Sequence, residues 1–216
     1  MKNAHGLKLY LVLSLALLLV SGLVHAWYIA RNELFGTKQL LLTFVRGAAY
    51  SLQSHDISSL TGTGLDLNSP AYHKAARLLD EMRESSGFAR FVYVMRKKND
   101  AVFFLIDSEP QNSPHFSPPG ELYPETRVIS RTFETGREVV EGPIRDAYGT
   151  WMTAMAPLAS RDNGEITDII GVDMDVSYLA IAIFKRAVFS VICMLLLIAT
   201  SLLIYFYIRR GEKNIE

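Results

Sequence analysis

The sequence predicts an α+β domain carried between two membrane-spanning helices. Three observations lead there: two charge-free apolar runs, residues 9–30 and 187–208; a helical apolar stripe directly after the first; and a change from helical to alternating period beyond Gly87. Each run is 22 residues long without one Asp, Glu, Lys or Arg, and about 20 apolar residues cross a bilayer core. The chain has 216 residues, half of them apolar, so an ordinary soluble enzyme is excluded. Its 22 basic and 22 acidic side chains cancel, which removes the electrostatic attraction that nucleic acid binding needs.

Between the runs lie residues 31–186, the size of one domain with its own core. The tails, residues 1–8 and 209–216, carry Lys2, Lys8, Arg209, Arg210 and Lys213, and basic flanks stay cytoplasmic. Arg31, Lys38, Lys185 and Arg186 oppose this at the other ends of the spans. Long domains translocate largely regardless of charge, so the central domain is expected outside the cytoplasm. Val24-His25-Ala26 also fits a signal-peptidase site, which leaves a cleaved first run as the alternative to a membrane helix. Cys193 is the only cysteine and sits inside the second run, where it reads as a small packing residue rather than a nucleophile.

From Asn32 to about Asp56 the residues Leu34, Leu41, Phe44, Val45, Ala48 and Leu52 fall on one helical stripe. No proline interrupts it, so one helix is expected to run from the first span into the domain. Thr61-Gly62-Thr63-Gly64 breaks the pattern, and Ser69-Pro70 starts a second helix with a cap followed by proline. Tyr72, Ala75, Ala76, Leu79 and Met82 form its apolar face. Strands follow at residues 91–95 and 101–106, joined by the turn Lys97-Lys98-Asn99-Asp100. A loop with five prolines and a short helix over 125–135 precede three more strands near residues 137–142, 150–158 and 166–175. Arg161-Asp162-Asn163-Gly164 turns between the last two, and Ser177 can cap a final helix that enters the second span. Five antiparallel strands are thus expected, with helices on one face.

The motifs Phe91-Val92-Tyr93-Val94-Met95-Arg96, Leu105-Ile106-Asp107-Ser108, Ser117-Pro118-Pro119-Gly120-Glu121-Leu122-Tyr123, Asp146-Ala147-Tyr148-Gly149-Thr150-Trp151 and Gly171-Val172-Asp173-Met174-Asp175, in this order of elements, resemble the single Cache domain. This extracytoplasmic fold, also called PDC or PAS-like, sits between two membrane helices in bacterial sensor histidine kinases, diguanylate cyclases and chemoreceptors. The resemblance covers Asn32 to about Phe184 and is most specific in its second half. It implies a small-ligand sensor in the bacterial cytoplasmic membrane, dimeric along the first helix, whose sheet and overlying loop enclose a pocket. Such receptors continue past the second span into an output region. Only eight residues follow it here, so the output is expected on a separate kinase, cyclase or chemoreceptor, or to have been lost.

Eight residues on or beside the sheet are the candidate ligand contacts: Tyr93, Arg96, Asp107, Tyr123, Asp146, Tyr148, Trp151 and Asp173. Arg96 can clamp a carboxylate through its fork, Asp146 or Asp173 can take an ammonium, and the rings can stack on a ligand. Each has a structural alternative. Arg96 beside Lys97-Lys98 also reads as the polar end of a strand, Tyr93 and Trp151 as core aromatics, and Asp107-Ser108 as a strand stop. Asp173 also reads as a link between the last strand and the final helix. Leu41, Val45 and Tyr50 are available to meet a second copy of the first helix.

His55, His73 and His115 lie on separate elements without metal-site spacing, and no nucleophile elbow or phosphate loop occurs, so neither metal, cofactor nor enzymatic activity is expected. The rival to a small-molecule sensor is a structural or regulatory membrane protein whose Cache-like domain binds an exported protein.

Overall fold

Both apolar runs fall inside long helices of the computed structural model, which describes residues 2–53, 55–145, 149–160 and 164–213. Helix α1 (Lys2–Leu52) is unbroken, and α4 (Val176–Lys213) closes the chain. Both are long and apolar enough to cross a membrane. The chain divides into two compact units, one of Met1–Phe35 with Leu179–Glu216, the other Gly36–Tyr178. In the first, Arg186 pairs with Glu33 at 2.7 Å, and His25 Nε2 lies 2.9 Å from Ser190 Oγ.

The second unit is built on one antiparallel sheet. Its strands are β1 (Ala89–Lys98), β2 (Ala101–Asp107), β3 (Leu122–Tyr123), β4 (Val139–Arg145), β5 (Thr150–Ser160) and β6 (Ile166–Asp175), in the order β3-β2-β1-β6-β5-β4. The sheet therefore has six strands, not the five expected. The sixth, β3, is two residues at the end of the proline-rich loop, too short to show an alternating pattern. Phe104 N donates to Glu121 O and Gly120 N to Phe104 O, each at 2.9 Å, and these bonds bring the loop back to the edge of β2.

Helix α2 (Pro70–Ser86) starts as expected. The Ser69 side chain accepts from Ala71 N, Pro70 occupies the first turn, and Gly87 ends the helix at φ 71°. Tyr72, Ala75 and Leu79 are its buried face, and α2 packs on β1 and β2. Helix α3 (Arg127–Thr135) places Val128 and Ile129 in a core cluster with Tyr93, Met95, Phe104, Met155 and Ile169. Residues i and i+2 of a strand share a face, so Tyr93 and Met95 point into this cluster while Val92 and Val94 are buried on the other face.

Three local details differ from the sequence reading. Strand β1 runs through Lys97 and Lys98, leaving Asn99-Asp100 as a two-residue turn with φ of 51° and 61°. Positive φ at both positions is the geometry that follows the twist of a hairpin. The cap of α4 is Asp175 rather than Ser177: Asp175 Oδ1 accepts from Ser177 N at 2.6 Å, and the Ser177 hydroxyl first, then this N–H, hold its carboxyl below the usual range. Finally, Leu41 and Val45 are fully buried, so they belong to the core and not to a face left for a partner, whereas Tyr50 is 75% exposed. In the same unit Phe44 packs edge-on against Phe88.

The break after α1 is organised by a residue the sequence reading passed over. Buried Asp66 accepts from the main-chain N–H of Thr61, Gly62 and Thr63 and from Thr61 Oγ1. Burial disfavours its charge, but these donors outweigh it and lower its pKa.

Candidate ligand-binding cleft

A β-bulge builds the floor of the site. Met95 pairs with Phe104 and Val94 with Ile106, so Leu105 is the extra residue on β2. Without a bulge, Phe104 and Asp107, three residues apart, would face opposite sides of the sheet. With it, both line one cleft beside Tyr93, the register partner of Asp107.

The cleft has a volume of about 40 Å³. Strand β1 contributes Phe91 and Tyr93, β5 contributes Trp151 and β6 contributes Asp173; His115 and Ser117 come from the loop after β2, and Tyr123 from β3. Its aromatic rings meet edge to face, with centroids at 5.4 Å for Phe91–Trp151, 5.5 Å for Tyr93–Phe104 and 5.6 Å for Phe104–Tyr123. This is the favoured arrangement for ring quadrupoles, and it fixes each ring by its neighbour.

Two carboxylates reach the cleft. Asp107 Oδ1 accepts from Glu109 N at 3.0 Å and Oδ2 from Ser117 N at 2.9 Å, so one side chain ties both arms of the proline-rich loop to the end of β2. Burial nevertheless pushes its pKa up to about 6, because the two bonds do not replace full hydration of the charge. Asp173 Oδ1 accepts from Thr153 Oγ1 at 2.6 Å. The Tyr93 hydroxyl ionises only well above its ordinary value, through burial first and then the Asp173 charge beside it.

The loop is held at a second point. Glu109, 8% exposed, bridges Arg90 and the Ser113 hydroxyl, 2.6 Å away. Burial opposes its charge, but the bonds from Ser113 and Arg90 prevail and hold it below the usual range. The Arg90 guanidinium also lies over the Phe91 ring, 4.2 Å from its centroid.

Of the eight residues expected to contact ligand, Tyr93, Asp107, Tyr123, Trp151 and Asp173 converge on this cleft. Asp146 and Tyr148 lie outside the described residues. Arg96 is placed elsewhere. Its Nε and Nη2 donate to the two Asp168 oxygens at 2.7 Å, Nη1 to Leu60 O at 2.5 Å and Nη2 to Ile57 O at 3.2 Å. Strand alternation puts Arg96 on the face opposite Tyr93 and Met95, where it fastens the segment after α1 to β1 and β6. Sequence reasoning missed Phe91, Phe104, His115 and Ser117. The first two were legible as strand aromatics: alternation alone puts Phe91 on the Tyr93 face, whereas the facing of Phe104 relative to Asp107 depended on the bulge.

No protein-family profile matches the chain, and no curated protein matches it. Solved structures do. The sensory domain of the Campylobacter jejuni chemoreceptor Tlp3 aligns with 83% of this chain and 66% of its own, at 16% identity and a TM-score of 0.51. The ligand-binding domain of that receptor in complex with 4-methylisoleucine aligns with 76% and 63%, at 18% identity and 0.52. The sensor domain of the V. cholerae histidine kinase DctB aligns with 77% and 59%, at 14% identity and 0.54. The fold is thus that of the Cache, or PDC-type, sensor domains. The chain spans two thirds or less of each of these structures.

Proposed function

We propose that this chain is the extracytoplasmic input part of a bacterial membrane receptor, binding a small polar molecule in the cleft between β1, β5, β6 and the proline-rich loop. One observation carries the reading: five of the residues expected to contact ligand meet in a single aromatic cleft of a Cache fold. The neighbouring structures are a chemoreceptor domain, one of them holding 4-methylisoleucine, and a histidine kinase sensor domain. Helices α1 and α4 anchor the protein in the cytoplasmic membrane, with residues 31–186 in the periplasm or outside the cell.

A ligand shifts two arrangements only by its differential affinity for them. Asp173 stands two residues before Asp175, the cap of α4, so a contact made in the cleft reaches the final helix through two residues of strand. The shift is read by a kinase, cyclase or chemoreceptor output region, whether beyond Glu216 or on a separate protein. The receptor works as a homodimer along α1, through the exposed stripe Gly36, Leu40, Thr43, Gly47 and Tyr50.

Thermal-shift and calorimetric screening of the full chain in detergent against amino acids, organic acids and amines tests the sensor reading. A hit should be lost in Trp151→Ala. Silence across all three classes, together with stable capture of an exported protein, replaces the sensor with a protein-binding module.

A further inference from the structure

The cleft's charges specify its ligand more narrowly than its fold does. Among the described residues, the lining contributes two carboxylates, Asp107 and Asp173, and no Lys or Arg. The two arginines of β1 are each paired with a carboxylate, Arg96 with Asp168 on the opposite face and Arg90 with Glu109, so the Arg90 guanidinium over the Phe91 ring brings its own counter-charge. Among the described lining residues, exposed His115 is the only basic side chain. The remaining surface is chiefly aromatic, from Phe91, Tyr93, Phe104, Tyr123 and Trp151.

A carboxylate placed here would meet two like charges and, among the described residues, no unpaired arginine or lysine to offset them, an unfavourable juxtaposition. An ammonium meets the reverse: carboxylates to donate to and ring faces that attract a cation. A hard metal ion fits poorly, because it demands about six to eight oxygens and gains little from rings. A cleft of about 40 Å³ favours a compact ligand. At roughly 10–15 Å³ for each water it has room for a few small groups.

We infer that the cleft selects a small organic amine without a carboxylate, and discriminates against the corresponding amino acid and acid. This rests on the sensor reading above and narrows its ligand class. Specificity arises by repulsion as much as attraction: Asp107 and Asp173 draw the ammonium and repel the carboxylate of a zwitterion.

Matched ligands on the full chain in detergent test this, using calorimetry at neutral pH. One set is isobutylamine, valine and isovalerate; the other is ethylamine, alanine and propionate. Each amine is expected to bind at least about tenfold more tightly than its amino acid, the equivalent of about 1.4 kcal/mol, and the acids not at all. Asp173→Asn should weaken the amine by about tenfold or more while leaving the unliganded melting temperature near that of the wild type. Should the variant misfold, the wild-type comparison within each set still decides. Equal or tighter binding of valine, alanine or an acid, lost in Trp151→Ala, overturns amine selectivity and leaves the sensor reading standing. No binding by any of the six also overturns it, and the sensor reading then falls only if the broader screen is silent as well.

Discussion

Tyr93 lies across Gly171, its register partner on β6, so closely that a Cβ at position 171 would sit 2.4 Å from the Tyr93 ring. Glycine is what lets the phenol cross the neighbouring strand. The ring is wedged against Phe104 and cannot swing aside freely. Gly171→Ala should therefore displace Tyr93 and reshape the cleft, with a stability loss of about 1–3 kcal/mol from overpacking. Thermal melts with and without a cleft ligand check this. An unchanged ligand-induced shift would mean that Tyr93 does not shape the binding surface.

Arg96 and Asp168 form a bidentate pair whose side chains are 16% and 3% exposed. Removing one partner of a buried pair strands the other charge, at a cost of about 3–5 kcal/mol. Arg96→Ala is expected to lower the melting temperature sharply and to loosen the segment around Ile57 and Leu60. Any molecules that remain folded should bind ligand normally. A variant that keeps its stability but loses ligand would restore Arg96 to the binding site.

Asp107 gives the protein an unusual dependence on pH. Its carboxyl ionises at about 6 in the folded domain and near 3.9 in an unfolded chain. Between those values the folded state binds more protons, so this group's contribution to stability falls as pH rises from about 4 to about 6, by on the order of 3 kcal/mol. Asp66, Glu109 and Asp175, whose pKa values are lowered, act oppositely and lose their contribution on acidification. The pH dependence of the difference between wild type and Asp107→Asn isolates the term: Asn loses one of the two accepted bonds at every pH, and on top of that constant cost the variant should gain on wild type as pH rises from about 4 to about 6. Urea melts at several pH values measure it. A difference that does not change with pH would mean that Asp107 titrates normally.

Much of this was legible in the sequence because the signals were local. The Ser69-Pro70 start of α2, the Gly87 stop and the alternation of β1 and β2 need only neighbouring residues to be read. The misses were relational. Strand β3 exists because Glu121 O and Gly120 N find Phe104 across a loop, and a two-residue strand leaves no periodic trace. Arg96 was legible as a charged strand residue whose alternation sets it opposite Tyr93, but its partner Asp168 is 72 positions away. The bulge at Leu105 brings Asp107 into the cleft. Leu41 and Val45 share the helical period of α1 with exposed residues, and only burial in the folded unit separates the two sides.

That separation makes the proposed dimer testable by position. On α1 within the Gly36–Tyr178 unit, Gly36, Leu40, Thr43, Gly47 and Tyr50 recur at steps of four and three, all exposed and none charged. This is the spacing of a helix–helix seam. Apart from the adjacent backbone of α1 itself, nothing lies within 4 Å of where a Cβ would stand on Gly36 or Gly47, so a second helix can approach there. Two copies of α1 packed along this seam place their Thr43 side chains face to face. With Cys193→Ala removing the native thiol, Thr43→Cys should cross-link into a covalent dimer in oxidised membranes, and Lys74→Cys, exposed on α2, should not. Gly47→Glu should weaken the dimer by burying a charge in the seam, read as reduced cross-linking in the Thr43→Cys background. Efficient cross-linking at Lys74→Cys with none at Thr43→Cys would move the dimer contact from α1 to α2.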